Sequence, residues 1–532
     1  MIRKSWPFWL GGLFVGWAFD FLFWKKVPGI SFLIWITLIL LAGVTLLAIE
    51  KVKPSWKSIL LMVSALAMAF FFALRAEPFT RFVTFLITFG LLFLLTFSYQ
   101  KGYWIGYRIK DYFVAFFQMI GGMFSRGFGL LTHRKSTPPD LPKKGEDSVP
   151  KNSKRKTAGS ILLGIGITVP ILAVLMALLA SADLAFASQL QKIIESLHLE
   201  KLPEWILRLV YIVILADLLV GLWLHAGFPR KPENPDTGKQ AIKPFLGWLA
   251  SIIPLISIVI LFAVFVGLQL QYLFGAQSNI NAAGFTYAEY ARRGFVELLV
   301  TAVITLGLDL LFSNISVRNG KIQEWVFNGL RIAILLLTLV ILASSIQRLM
   351  LYENAYGFSR IRTYSHIFIY WLGGLITATI ALVLFQKTRY FGLAVIITIA
   401  GFGTTLAGMN VDGFIARQNI QRARAGLELD PVYLGMLSED GIPSMVTEFQ
   451  SGNLPQEVRD IIGSDLSCRL KQAQETGKLP WQSLHFGLAS AFSALSSASD
   501  ELKEYPISQK DGYDTVLVGN KDYPCYFVSG MD

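Results

Sequence analysis

Tyr352-Glu353-Asn354-Ala355-Tyr356-Gly357-Phe358-Ser359-Arg360-Ile361-Arg362 gathers a carboxylate, an amide, two phenols and two guanidiniums into one short stretch, and His366 follows close behind. Glu353, Arg360, Arg362 and His366 together could hold an anionic or polar group. The imidazole would then be the proton carrier, because its ordinary pKa lies near neutrality. Two other polar stretches have similar content. Tyr287, Glu289, Arg293 and Glu297 form one, in which Glu289 and Arg293 are spaced to meet on a helix face. Asn410 and Asp412 begin the other. The competing reading is structural: Tyr and Arg at a membrane surface anchor helices and fold loops without any chemistry. No Walker loop, HExxH or Gly-x-Ser-x-Gly motif is present, so catalytic residues stay unassigned. With two cysteines and no Cys/His cluster, no metal or cofactor is expected.

These stretches sit between long apolar runs. The chain has 532 residues, of which 54% are hydrophobic and only 16% charged, against roughly 25% charged in soluble domains. Runs of this length cross a ~30 Å hydrocarbon core as helix. Lipid leaves backbone polar groups no outside partner, so the runs should be helical, and no alternating strands of a barrel are seen. Eleven spans are expected, near 6–24, 30–49, 58–74, 82–98, 158–182, 205–224, 246–270, 294–313, 326–346, 364–385 and 391–409. Arg3 and Lys4 precede the first, which carries no cleavage signature and reads as a retained span. Its Gly12 and Gly16 suit close helix packing.

Basic residues alternate with the spans. Of the loop Lys and Arg, 25 fall on one side and 11 on the other. The excess belongs in the cytoplasm. This places the N-terminus inside, the C-terminal region outside, and all three polar stretches on the outer face. Topology therefore accounts for the net charge of +12, and no nucleic-acid partner is expected. Tyr103 to Leu131 reads as a helix in the membrane interface, with a soluble helix hairpin as the alternative. His133 to Thr157 reads as a disordered basic linker.

Ionisable residues inside spans are costly and mark sites by default. Asp20, Asp183, Arg208, Asp217, Glu297, Asp309 and Arg331 qualify, though most lie near span ends. Asp309 and Arg331 sit at similar depth on consecutive spans and should pair. Asp217 is deeper, has no obvious partner, and is the best candidate for a buried functional carboxylate.

After Gly413 the pattern is soluble. Helices are expected over Phe414–Ala425, Pro431–Leu437, Ile442–Phe449, Gln456–Gln474 and Trp481–Leu502. A hairpin is expected from Thr515–Val518 and Cys525–Val528 around a Gly519-Asn520 turn. In an oxidising compartment Cys468 and Cys525 could form a disulfide; two buried thiols are the alternative.

The Tyr352–Arg362 motif, the run Tyr287-Ala288-Glu289-Tyr290-Ala291-Arg292-Arg293-Gly294-Phe295, and Asn410-x-Asp412 with Ile415-Ala416 and Asn419 resemble a bacterial family of multi-pass membrane proteins of unknown function, the domain-of-unknown-function 4153 and 4173 type. Asp430 with Tyr433-Leu434, and Phe19-Asp20-x-Leu22-Phe23 before Pro28-Gly29, extend the resemblance. It implies a bacterial polytopic membrane protein and carries no active-site residues.

The expected architecture is an all-α polytopic bundle with a small, mostly helical soluble C-terminal domain. Its parts are 1–132 (four spans and the interfacial helix), the linker 133–157, a second membrane part 158–412, and 413–532. The leading reading is a binding or regulatory protein of the plasma membrane, with the bilayer and an envelope protein as partners. An envelope enzyme acting on a lipid-linked or glycan substrate, then a transporter, are the alternatives.

Overall fold

The computed structural model describes residues 6–132, 202–228, 244–274, 294–475, 479–510 and 512–525, with isolated positions between 168 and 189. The expected span at 158–182 and the linker at 133–157 lie almost wholly outside these residues. Among the described residues, ten helices are long and apolar enough to cross a membrane. The protein is thus a multi-pass membrane protein in contact with the bilayer.

Four helices open the chain: α1 (Trp6–Phe23), α2 (Ile30–Ile49), α3 (Trp56–Leu74) and α4 (Pro78–Ser98). They share an apolar core with α6 (Leu202–Gly227), built on residues such as Phe32, Ile36, Leu61, Val220 and Trp223. Gly12 and Gly16 both face α6. A Cβ at either would come within 2.9 Å of the carbonyl oxygen of Ala216 or Ile212, so only glycine allows this approach. After a 3₁₀ turn at Tyr103–Gly106, α5 (Ile109–Thr132) follows, as expected for a helix in this stretch. It packs on α6, with Gly122 beside His225 and Gly221 beside Met123.

The second group holds α7 (Trp248–Phe274), α8 (Phe295–Ile315), α9 (Lys321–Tyr356), α10 (Arg360–Leu384) and α11 (Phe391–Met409). Their seams are filled by Leu255, Phe327, Leu335, Ile369 and Ile376 among others. Helix α11 also packs on α3 and α4, joining the two groups. Asp309 and Arg331 pair across α8 and α9 in a two-pronged contact of 2.6 and 2.8 Å, both buried. Arg208 pairs with Asp20, which also accepts from the Tyr211 hydroxyl. Asp217 is buried on the inner face of α6. Asp183 is exposed and accepts from the amide of Phe186 at 3.2 Å.

The remaining α-helices among the described residues are α12 (Val411–Arg424), α13 (Pro431–Gly435), α14 (Ile442–Gln450), α15 (Gln456–Glu475), α16 (Phe486–Ser497) and α17 (Ser499–Leu502). They surround a core that includes Ile415, Met445, Phe449, Ile462 and Leu466. The long helix expected over Trp481–Leu502 is instead three pieces: a 3₁₀ turn at Trp481–Ser483, then α16 and α17. His485 breaks it, because its Nδ1 accepts from the amide of Leu488 and caps α16. The hairpin forms around the expected Gly519-Asn520 turn, but its second strand starts earlier, at Lys521. Three antiparallel strands form, β1 (Ile507–Lys510), β2 (Tyr513–Val518) and β3 (Lys521–Pro524). The turn sets Val518 opposite Lys521, so pairing starts at once and reaches Cys525, whose amide donates to the Asp514 carbonyl at 3.0 Å; positions 526–528 of the expected strand lie outside the described residues. Pro524 is tolerated because β3 is an edge strand. Cys468 and Cys525 form a disulfide between α15 and the end of β3.

Candidate functional site

Helices α2, α4, α6, α8 and α10 begin, and α1, α3, α9 and α11 finish, at one end of the bundle. The motif lies there. It is no loop: α9 runs through Tyr356, Gly357-Phe358-Ser359 makes a corner, and Arg360 opens α10. Gly357 turns the corner at φ 80°, where a side chain is strained. Asn419 of α12 holds the corner, its Oδ1 accepting from the Phe358 amide at 2.8 Å and its Nδ2 donating to the Phe358 carbonyl at 2.9 Å.

Nearly every charge of the motif is engaged in structure. Arg360 grips Asp412 with two bonds of 2.6 and 2.8 Å and donates to the Met436 carbonyl at 3.0 Å. Asp412, fully buried, also accepts from the Ser438 amide at 2.7 Å. The Arg360 amide donates to the Tyr433 hydroxyl at 2.7 Å, and burial raises the pKa of that phenol. Glu353 is buried and meets His366 Nε2 at 2.8 Å through one oxygen. Its other oxygen has no hydrogen-bond partner among the described residues. Arg422 donates to the carbonyls of Glu353 and Asn354, each at 2.7 Å. Arg362 donates to the Gly357 carbonyl and stands 4.0 Å over the Tyr352 ring. The Tyr356 side chain is exposed.

Two of the three polar stretches therefore meet, through Arg360 and Asp412. In the third, Tyr287, Glu289 and Arg293 lie outside the described residues. Glu297 is exposed in the first turn of α8 and makes no described hydrogen bond or ion pair to the motif. Asn410 adopts the left-handed conformation at φ 53°, caps α12 through the Gly413 amide, and donates to the Asp440 carbonyl at 3.0 Å.

Sequence reasoning missed a second clamp beside the first. Glu77 caps α4 by accepting from the amides of Phe79 and Thr80, and it receives the Tyr364 hydroxyl at 2.6 Å. Asp440 Oδ2 accepts from the amides of Ala76 and Glu77 at 2.7 and 3.0 Å. Arg75 donates to the Ala407 carbonyl at 2.6 Å. Glu77-Pro78 is a readable helix start; nothing local marks Asp440. Burial pushes the Asp440 carboxyl up to about 6, against the pull of the two amides and Arg75. Burial, aided by the charge of Arg81, lowers His485 to about 4.

Between the corner and α13 lies a cavity of about 170 Å³, lined by Gly357, Ser359, Arg362, Asn419, Asp430 and Tyr433 among others. It is smaller than the ~300–1,000 Å³ of drug-sized sites and suits a small polar solute. Among the described residues no group of His, Cys, Asp and Glu could hold a metal ion.

Residues 61–448 match the family model described as Domain of unknown function (DUF4153). The match spans well over half of the chain, and the protein belongs to that family. No curated protein and no solved structure matches it.

Proposed function

We propose that this is a binding or regulatory protein of the bacterial plasma membrane, which senses a small polar ligand or docks an envelope partner at the seam between the bundle and its C-terminal region. The supporting observation is the polar cavity at that seam, walled by the motif on one side and by α12 and α13 on the other. The motif's charges are engaged in holding the two parts together, which favours coupling over catalysis. A ligand in the cavity would press on both at once.

The proposed orientation puts the N-terminus in the cytoplasm and this seam outside. The excess of Lys and Arg in the opposite loops supports it. So does the disulfide, since such bonds persist in oxidising compartments. The proposed parts are 1–132, 133–157, 158–412 and 413–532, with the seam between the last two.

Native mass spectrometry of the full-length protein in native-lipid nanodiscs tests this reading. A bound small molecule or stoichiometric envelope protein should be retained, and Ser359→Leu, which fills the cavity, should release it. Finding no retained species would sink the proposal.

A further inference from the structure

The connection into α16 has its polarity inverted. Trp481, Leu484 and Phe486 are exposed, whereas Gln482, Ser483 and His485 are buried. A loop facing water shows the opposite pattern. His485 is occupied internally as the cap of α16. Among the described residues, nothing covers the outer faces of its three apolar neighbours.

Their position indicates what does. The Trp481 ring is 6.4 Å from Phe21 of α1, and the Phe486 ring is 5.8 Å from Phe70 of α3. Phe21 and Phe70 are themselves exposed on helices long and apolar enough to cross the bilayer, and Trp17 stacks on Phe21. The exposed face of the 481–486 segment thus continues the lipid-facing surface of α1 and α3. Its height is fixed by backbone. The Ile30 amide, at the start of α2, donates to the Leu484 carbonyl at 2.8 Å. Gly29 packs so closely on Ser483 and Leu484 that a Cβ there would strike both. The segment is therefore held level with the first turn of α2 and the last turns of α1 and α3, where a membrane passes from acyl chain to headgroup. Aromatic residues concentrate at that depth, because their apolar rings and polar edges suit both sides.

We infer that Trp481, Leu484 and Phe486 form a wedge that seats the C-terminal region in the interfacial layer of the same bilayer its helices cross. The C-terminal region is then a membrane-resting unit, and its seat adjoins the Asp440 clamp, since Gly487 packs directly against the Asp440 carboxylate.

Spin labels test this on the full-length protein in nanodiscs of phosphatidylethanolamine and phosphatidylglycerol. Cys468 and Cys525 are bonded to each other, so one introduced cysteine takes the label. Labels on Leu484→Cys and, independently, Trp481→Cys should collide with oxygen several-fold more than with a water-soluble nickel chelate, as a label on Phe21→Cys does. A label on Tyr513→Cys, exposed on β2, should show the reverse. If the 484 and 481 labels behave like the one at 513, the wedge faces water and the inference fails. If they are shielded from both reagents, protein covers the face, and the inference fails equally.

Discussion

Asp309 and Arg331 show what a buried charge requires. Each is almost wholly removed from solvent, and each satisfies the other with two bonds. Removing one partner strands the other, which typically costs about 3–5 kcal/mol. Asp309→Ala should therefore lower thermal stability in detergent sharply, and Asp309→Leu with Arg331→Met should recover most of the loss. Asp440 and His485 lie in the C-terminal region and titrate in opposite senses. The Asp440 carboxyl is raised from its ordinary 3.8 to about 6. Its contribution to stability is full below 3.8 and is lost as pH rises through 6. His485 is lowered from 6.5 to about 4. Its contribution is full above 6.5 and is lost as pH falls toward 4. Asp440→Asn isolates the first effect. Between pH 4 and 6 the wild type should lose about 2 kcal/mol relative to this variant, because folding then takes up most of a proton at a cost of at most about 1.36 kcal/mol per pH unit. A constant difference in melting temperature across that range would contradict the assignment.

Helix α9 runs straight into the motif, and one three-residue corner separates it from α10. At the element scale the motif is a joint. Its outer surface is covered by α12, which supplies Asp412, Asn419 and Arg422. Arg360→Ala would leave the buried Asp412 carboxylate with the Ser438 amide as its remaining described partner. The expected cost is about 3–5 kcal/mol, concentrated at the joint. Hydrogen exchange should accelerate over 411–441 and remain slow in α1 to α4. Arg360→Lys should not rescue, because an ammonium cannot reproduce the two parallel bonds.

The whole molecule is secured at its C-terminal end by a covalent bond. The disulfide joins Cys468 of α15 to Cys525, 57 positions later, and closes the small sheet onto the helices. A loop of that length gives roughly 4 kcal/mol on chain-entropy grounds. Reduction, or paired Cys468→Ala and Cys525→Ala, should loosen β1 to β3 and lower the melting point of the C-terminal region. The membrane helices should keep their far-ultraviolet signal. A reductant that left the melting curve unchanged would show the bond to be dispensable.

Hydrophobicity is summed along the chain, so the ten described membrane helices, their approximate limits and the family resemblance were all readable in one dimension. The Asp309–Arg331 pair was readable as well, because a short connection and equal depth leave two such charges few alternatives. The glycines of α1 were readable as a packing face. Contacts distant in sequence were not. Asp440 reaches back to the amides of Ala76 and Glu77, and Tyr364 reaches Glu77, with nothing local to announce either. The motif read as a polar loop because its residues are polar, but helix continues wherever backbone bonds and packing support it, here through Tyr356. Only the tertiary structure decided that Arg360 closes on Asp412, that Glu353 closes on His366, and that Trp481, Leu484 and Phe486 face outward. The reason is physical: composition selects the solvent for each segment, while pairing depends on which segments the fold brings within bonding distance.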